Sequence, residues 1–232
     1  MNFDNLVKAT AVRRYKRFLT DCTLDDGTEI TVHCPNSGRM TGCIEEGAEV
    51  RLSVSDNPKR KYSHTLELVK MPDSWVCVNT GNANKVGAEF VEKGLIPELK
   101  EVVSVKREVT YPFSKSRVDL ELTKESGERC FVEIKSCTLV EEGMAMFPDA
   151  PTVRGQKHLK ELMELPKHGI KPVVLFLIMR NDAKIFKAAN HIDPKFAELL
   201  TEVAKNGVEV LAYHVVTSPD GLTLAEKIPV ML

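Results

Sequence analysis

Two short apolar segments in the middle of the chain have charged residues at alternating positions. Asp119 lies in the segment SRVDLEL, and Glu133 and Lys135 lie in VEIKS, which follows after a polar turn. Because side chains two residues apart share one face of a strand, a hairpin of these segments would bring the three groups together. Two carboxylates suit Mg²⁺ or Mn²⁺, and an ammonium group stabilises an anionic phosphorus centre. This spacing therefore favours metal-dependent hydrolysis of a phosphodiester, with Asp119 and Glu133 as metal ligands and Lys135 as a catalytic residue.

An acidic residue on a half-exposed strand is usually only solvated, so the neighbouring sequence has to support this interpretation. Downstream, the segment TVRGQKHLKEL has the apolar spacing of a helix, with Arg154 and His158 four positions apart and Gln156 close by. Such a row is more often plain surface. Beside two carboxylates, however, we predict that Arg154, Gln156 and His158 contact phosphate or a water bound to the metal.

The elements that must position these residues follow an α/β pattern from residue 79 onward. The apolar spacing and the turn signals predict the order αβββαβ, followed by αβ, which implies a mixed sheet with helices on both faces. The predicted helices cover 83–93, 154–165 and a segment that opens at Asp193 and stops at Gly207. The predicted strands cover 102–111, 117–122, 129–137, 171–179 and 208–216.

Residues 10–80 contain only strand-like segments, separated by glycine, asparagine, aspartate and proline. The predicted strands are a long one through Leu24, then 29–33, 49–54, 64–69 and 75–78. Five short strands in this length favour a small barrel of the oligonucleotide-binding (OB) type, although an SH3-like barrel has a similar strand count. We therefore predict two domains, an all-β OB-like domain over 1–81 and an α/β domain over 82–232.

Basic residues cluster in the predicted barrel. The segment KATAVRRYKRF has five basic residues and two aromatic residues without an acid, and NPKRKY is a second basic patch. Lysines also protect exposed strand edges, but the interleaved aromatic rings favour a surface that faces nucleic acid. The loop CPNSGRMTGC could present further groups to a phosphate. The candidate nucleic-acid contacts are Arg13, Arg14, Lys16, Arg17, Asn36, Ser37, Arg39, Lys59, Arg60 and Lys61.

Composition limits the class of protein. The chain has 232 residues, 43% of them hydrophobic, and its formal charge of −1 argues against a protein that coats nucleic acid indiscriminately. No apolar run is long enough to span a membrane, and the first residues lack a signal peptide, so we expect a cytoplasmic protein without a membrane partner. The six cysteines include no CxxC pair, which favours buried reduced thiols over disulfides or a zinc site.

Longer strings of the sequence resemble the bacterial and archaeal sugar fermentation stimulation family (SfsA), nearly from end to end. They are RRYKRFLTD, HCPNSGRMTG, SDNPKRKYSHT, NTGNAN, SRVDLEL, VEIKS, FPDAPTVRGQKHLKELM and HIDPKFAELL. The resemblance implies an N-terminal OB-like domain and a C-terminal domain of the PD-(D/E)xK nuclease type. It also implies that Asp119 and Glu133 bind the metal, that Lys135 is the catalytic lysine, and that Glu89 is a further acidic ligand. Val118 stands where the proline of that motif is expected.

The sequence therefore predicts a DNA-binding protein with a magnesium-dependent nuclease site, in which manganese could replace magnesium. Two other functions stay open. One is a DNA-binding regulator of sugar (maltose) metabolism genes that keeps the nuclease fold only as a scaffold. The other is an RNA-processing nuclease, which would use the same barrel and the same site on single-stranded or folded RNA.

Overall fold

The first six strands form one continuous sheet that closes into a barrel in the computed structural model, which describes residues 1–232. Strand β1 pairs antiparallel with β2 and β4, β2 pairs with β3, β4 pairs with β5, and a parallel contact between β3 and β5 closes the ring. This connectivity is that of an OB fold, so the predicted five-stranded barrel is confirmed. The strands are β1 Val7–Tyr15, β2 Leu19–Leu24, β3 Glu29–His33, β4 Glu49–Val54, β5 His64–Met71 and β6 Ser74–Cys77.

Two details of the barrel differ from the sequence prediction. The expected long strand through Leu24 is two strands, because the chain reverses at Lys16 and Arg17, whose φ angles are 48° and 62°. Positive φ is uncommon for residues other than glycine, so the sequence KRF gave no turn signal. The expected fifth strand is β6, which pairs with β5, forms one isolated bridge from Val76 to Arg180 and lies outside the closed ring.

The second large sheet contains six strands in the order β15-β14-β12-β9-β8-β7. Strands β9, β12 and β14 run parallel, whereas β7, β8 and β15 are antiparallel to their neighbours, which confirms the predicted mixed sheet. The sheet elements are β7 Val102–Thr110, β8 Arg117–Lys124, β9 Arg129–Cys137, β12 Ile170–Ile178, β14 Glu209–Ser218 and β15 Gly221–Lys227.

Three helices cover this sheet, with α1 on one face and α2 and α3 on the other. Strand β12 is apolar from Pro172 to its end because it is buried on both faces. Leu175 and Leu177 pack in the core under α1, and Phe176 packs in the core under α2 and α3. The helices are α1 Thr80–Glu92, α2 Val153–Glu164 and α3 Pro194–Lys205, and short 3₁₀ turns lie at Pro97–Leu99 and Leu165–His168.

Each helix begins after a side-chain cap. Asn79 accepts a hydrogen bond from the Gly81 amide, Thr152 from the Gly155 amide, and Asp193 from the Phe196 amide. Helix α1 therefore starts three residues earlier than its predicted first residue, 83, and the predicted domain boundary after residue 81 falls inside its first turn.

A small four-stranded sheet was not predicted. It has the order β10-β11-β13-β16 and packs beside the main sheet. Its strands have only two to four residues, too few for alternation to be recognised in the sequence. They are β10 Leu139–Glu141, β11 Met144–Phe147, β13 Ile185–Ala188 and β16 Val230–Met231.

The barrel and the α/β domain are joined through the loop between β3 and β4. The Met40 amide donates a hydrogen bond to Asp149 Oδ2 at 3.1 Å, and Arg180 donates to the carbonyl oxygens of Gly42 and Thr138 at 3.1 and 2.9 Å. Gly38 lies against the Asp149 carboxylate so closely that a Cβ atom would overlap it. Glycine is therefore required by the fit between the two domains.

All six cysteines are buried and unpaired, as the sequence predicted. None of the helices combines the length and the apolar character that crossing a membrane requires.

Replacing Gly38 by Ala should lower the free energy of unfolding by about 1–3 kcal/mol, because the new methyl group would overlap the Asp149 carboxylate. In an Asp149→Ala background the same replacement should cost much less, since the overlapping atoms are gone. Urea denaturation of the four proteins in this double-mutant cycle measures the coupling. Equal costs in both backgrounds would show that the loop and Asp149 do not touch in solution.

Candidate active site

Strands β8 and β9 pair regularly up to Leu120 and Val132 and then diverge. The place where the two strands separate is called here the fork. At the fork a side chain of β8 takes the place of its backbone as the partner of β9, because Asp119 Oδ2 accepts a hydrogen bond from the Ile134 amide at 2.7 Å. Its Oδ1 atom accepts from Asn84 Nδ2, on α1, at 2.7 Å. Burial and the negative charge of Glu133 raise the pKa of Asp119 to about 6. The two predicted metal ligands are therefore close enough to repel each other.

Glu133 and Lys135 lie on the face of β9 that packs under α2. Lys135 Nζ is 2.6 Å from Glu133 Oε1, and His158 Nδ1 contacts the same oxygen. Although burial raises it, the charge of Lys135 and the contact with His158 hold the pKa of Glu133 below its usual value. Glu133 is therefore the anionic carboxylate of the pair, and Asp119 is the one whose proton is harder to remove.

Helix α2 contributes Arg154 and His158 to this cluster. Arg154 Nε donates a hydrogen bond to His158 Nε2 at 3.4 Å, one helical turn away. A tautomer of His158 with its proton on Nδ1 satisfies both this bond and the contact with Glu133. Arg154 is exposed, so its remaining donors are accessible to an anion. Of the three residues predicted on this helix, His158 thus contacts Glu133 directly, and Arg154 joins the cluster through His158.

The donor set suits a hard divalent cation. The Glu133 side chain is only 3% exposed, yet its Oε2 atom has no hydrogen-bond partner. No cluster of three or more histidine, cysteine, aspartate and glutamate side chains is formed, but Mg²⁺ needs only one or two carboxylates when phosphate and water complete its shell. Asp119 and Glu133 therefore fit a Mg²⁺ or Mn²⁺ ion better than a zinc ion, for which thiolate and imidazole ligands are usual.

The prediction that Glu89 is a third acidic ligand is wrong. Its carboxylate forms ion pairs with the amino group of Met1 and with Lys93, at 3.2 and 2.7 Å. Helix α1 presents Asn84 to Asp119 instead, and residues five apart on a helix do not share a face. The acid expected from this helix is thus replaced at the site by a neutral amide.

Some predicted nucleic-acid contacts are occupied by the fold itself. Gln156 donates to both carboxylate oxygens of Asp193, the cap of α3. Asn36 is buried, with its Nδ2 atom donating to the Val78 carbonyl, and Arg13 pairs with Asp21. These bonds shape or stiffen loops. Asn36 nevertheless lies in the lining of a cleft between the two domains, and its predicted contact with nucleic acid, like that of Gln156, stays a prediction.

The two basic segments of the barrel meet at one end of β3. His33 lies opposite Leu19 on β2 and opposite Thr65 on β5. The turn between β1 and β2 and the loop between β4 and β5 therefore end side by side. The barrel surface they form is called here the basic edge. In OB folds these are the loops that contact oligonucleotides. The predicted residues on it are Lys16, Arg17, Lys59, Arg60 and Lys61, all exposed.

A cleft of about 620 Å³ separates the barrel from the α/β domain, and it is called here the interdomain cleft. Arg14, Arg17, Ser37 and Arg39 line its barrel side. Ser136, next to Lys135, lines the opposite side. The cleft thus joins the basic edge to the end of the strand that contains Glu133 and Lys135.

Several residues that build the site were not predicted. Asn79 and Asn82, at the start of α1, donate to Glu67 Oε2 of β5 at 2.8 and 2.7 Å, and Asn84 follows with its bond to Asp119. The motif NTGNAN, with three asparagines in six residues, was a signal of unusual local chemistry. Its partners, however, lie far away in the sequence and could not be inferred from spacing.

Two family models cover most of the chain and divide it as the fold does. The model described as "SfsA N-terminal OB domain" matches residues 12–78, and "Sugar fermentation stimulation protein RE domain" matches residues 81–221. The protein thus combines two domains, an OB barrel and an α/β domain that matches the model of the sugar fermentation stimulation protein RE domain.

Related proteins match this chain over nearly its whole length. Proteins named "Sugar fermentation stimulation protein homolog" from Shewanella piezotolerans and Shewanella loihica are each 50% identical over 222 residues, covering 95% of this chain and 95% of theirs. The structure of Pyrococcus furiosus SfsA in complex with Ca²⁺ superposes with a TM-score of 0.91 at 28% identity, over 100% of this chain and 98% of that one. The chain belongs to the sugar fermentation stimulation protein family, as its motifs predicted.

The raised pKa of Asp119 predicts a specific loss of stability with pH. The pKa of this carboxyl is about 6 in the folded protein and has its usual lower value in the unfolded chain. Its protonation therefore contributes to the free energy of unfolding at pH 4, and this contribution is lost as the pH rises through 6. Relative to Asp119→Asn, the free energy of unfolding of the wild type should fall by on the order of 2–3 kcal/mol over this range. Urea denaturation with a chelator measures it.

The exposed loop carboxyl of Glu125 provides the control for this experiment. Glu125→Gln should keep the pH dependence of the wild type. If Asp119→Asn also kept it, the carboxyl of Asp119 would not have the raised pKa.

Proposed function

We propose that this protein is a magnesium-dependent nuclease that binds DNA through its barrel and hydrolyses a phosphodiester at Asp119, Glu133 and Lys135. The observation that supports it most is the pair of carboxylates at the fork of β8 and β9, Glu133 buried and Asp119 half-buried. Glu133 Oε2 has no partner there, and an ammonium group lies 2.6 Å from the other oxygen. Buried charges of this kind are expensive to a fold and are concentrated at functional sites.

Asp119 and Glu133 would hold the Mg²⁺ ion, or Mn²⁺ in its place. When bound, such an ion supplies Lewis-acid stabilisation of the phosphate and lowers the pKa of water. The Ca²⁺ complex of the Pyrococcus furiosus protein supports this assignment, because Ca²⁺ is also a hard cation that prefers oxygen ligands.

The side chains around the carboxylates have separate roles in this proposal. Lys135 Nζ stabilises the charge that develops on the phosphate and orients the attacking water, and Arg154 binds a neighbouring phosphate oxygen. His158 fixes the Glu133 carboxylate through its Nδ1 contact. Asn84 and the Ile134 amide fix Asp119 in the same way, since each donates to one of its two oxygens. Preorganisation of this kind removes most of the cost of reorienting dipoles during the reaction.

The basic edge of the barrel supplies binding in this proposal. Lys16, Arg17, Lys59 and Lys61 are exposed cations on two adjacent loops, and Lys61 lies 5.4 Å from the ring of Tyr62. Cations with interleaved aromatic rings bind the backbone and stack bases without reading a sequence. Binding should therefore weaken steeply with salt.

Removing the catalytic ammonium should separate cutting from binding. Lys135→Met should slow magnesium-dependent cleavage of labelled DNA by about 10²–10⁴-fold, because a stabilising charge at the phosphate is lost. Lys160→Met is the matched control, since Lys160 is exposed on the same helix as His158 but makes no contact with the carboxylates. Gel-resolved cleavage, with DNA binding measured in chelator, gives the two readouts. Undiminished cleavage by purified Lys135→Met would overturn the assignment.

The same assay separates the other two functions. A protein that protects one promoter of a sugar gene and never cuts DNA with Mg²⁺ or Mn²⁺ would be a regulator on a nuclease scaffold. A protein that cuts RNA and leaves DNA intact would be an RNA-processing enzyme.

Metal binding is measurable without nucleic acid. Isothermal titration with Mg²⁺, Mn²⁺ and Ca²⁺ should show binding to the wild type and its loss in Glu133→Gln and Asp119→Asn, because each replacement removes a carboxylate ligand. Glu89→Gln should bind like the wild type, since Glu89 pairs with Met1 and Lys93 instead. Loss of binding in Glu89→Gln alone would contradict this placement of the ligands.

A further inference from the structure

The interdomain cleft begins where β9 ends. Ser136, which follows Lys135 directly, lines it together with Thr80, the first residue of α1, and Thr152, the cap of α2. The amino-terminal ends of two helices, where the helix dipole favours an anion, therefore flank the end of the strand that contains Glu133 and Lys135. The first three N–H groups of α1 already donate to Pro35 and Asn79, so α1 contributes its dipole there and not those amides. Glu133 and Lys135 do not line the cleft themselves, and Ser136 is the residue of β9 through which the cleft adjoins them.

The cleft has an excess of positive charge. Three guanidinium groups line it, those of Arg14, Arg17 and Arg39, against the single carboxylate of Asp149. Arg14 donates only to backbone carbonyl oxygens, at 2.8–3.3 Å, so its charge has no acidic partner. Arg17 and Arg39 are exposed and form no ion pair with the protein. The Asp149 carboxylate already accepts the Met40 amide.

Two buried polar atoms around the cleft lack a hydrogen-bond partner. They are the hydroxyl oxygen of Ser136 and the Nε atom of Arg14. They lie on opposite walls, one from the α/β domain and one from the barrel. Because an unpartnered buried polar group costs about 1–3 kcal/mol, groups of this kind indicate a place where a polar ligand binds.

We propose that the interdomain cleft binds the backbone of one unpaired nucleic-acid strand and leads it from the basic edge to Lys135. This inference rests on the proposed nuclease function and specifies its substrate as a single strand or a single-stranded end. The arginines contact successive phosphates from the barrel side, and Ser136 and the two helix ends contact the phosphate next to the scissile one.

A duplex fits this arrangement poorly. The side chains of Glu133 and Lys135 are only 3% and 11% exposed, so the scissile phosphate has to be drawn in from the surface to reach them. A duplex must be strongly deformed to move one phosphate in this way, whereas a single strand bends freely. Phe18, 45% exposed beside Arg17, and Phe147 in the cleft wall offer rings on which unpaired bases can stack.

The test compares binding of a labelled 12-nucleotide single strand and its duplex, as DNA and as RNA, by fluorescence anisotropy in chelator over a range of salt. Arg39→Glu should weaken single-strand binding at least about tenfold and reduce the salt slope by about 0.7 for each phosphate that the protein no longer neutralises. The control is Lys100→Glu, an exposed lysine before β7 at the opposite end of the sheet. Its effect should be less than about twofold, since it leaves every cleft residue in place.

A second variant tests the cleft without changing its charge. Ser37→Cys places a thiol at the exposed rim, and a bulky maleimide can react there selectively because all six native cysteines are buried. The adduct should block single-strand binding while the melting temperature stays that of the unlabelled variant. Binding by the unlabelled variant is the reference against which the adduct is compared.

The outcomes separate this inference from the nuclease itself, because binding is measured without metal. Equal weakening by Arg39→Glu and Lys100→Glu, or preferred binding of the duplex, would overturn the role of the cleft even if the protein cuts DNA. Single-strand binding that depends on Arg39 would support the cleft even if no metal ever produced cleavage.

Discussion

The hydrogen bond from the Ile134 amide to the Asp119 carboxylate is the interaction on which the site depends. In a continuous hairpin that amide would pair with the backbone of β8, and the strands would stay together to their ends. The carboxylate takes the place of that partner, so the strands separate without leaving a buried donor unsatisfied. The gap between them provides the space where Glu133 and Lys135 can meet a ligand, and the raised pKa of Asp119 reflects the cost of burying a second carboxylate there.

Helix α1 links this fork to the barrel. Asn79 and Asn82 bind Glu67, a buried residue of β5 whose other oxygen accepts the Ser53 hydroxyl, and two residues later Asn84 binds Asp119. Because these three asparagines lie close together at the start of α1, a shift of the barrel would also move Asn84, which donates to the proposed metal ligand Asp119. The barrel and the fork of β8 and β9 are therefore held in a fixed arrangement, which the proposed passage of a nucleic-acid strand from one domain to the other requires.

How much could be predicted from the sequence depended on whether a signal was local. Alternation alone places Glu133 and Lys135 on one face of β9. Asp119 meets them through the fork instead, because its carboxylate binds Asn84 of α1 and the Ile134 amide whereas Glu133 and Lys135 pack under α2. Glu89 was misplaced because the resemblance implied an acidic residue on the helix but did not say which face of the helix points to the site. In the structure the helix turns Asn84 toward the site instead. The turn at Lys16 and Arg17 and the interdomain cleft were missed for another reason: tertiary contacts stabilise them, and neither leaves a local pattern.

Glu133 shows most clearly that this site is not optimised for stability. One of its oxygens contacts both Lys135 and His158, while the other is buried without a partner. A fold selected only for stability would place an apolar residue at the centre of β9, where removal of a charge and its partners is often neutral or favourable. Two ionisable side chains instead contact one oxygen of Glu133, beside the second carboxylate, that of Asp119, whose pKa is raised. Such a local violation of the usual rules is expected where binding a cation and a phosphate offsets its cost.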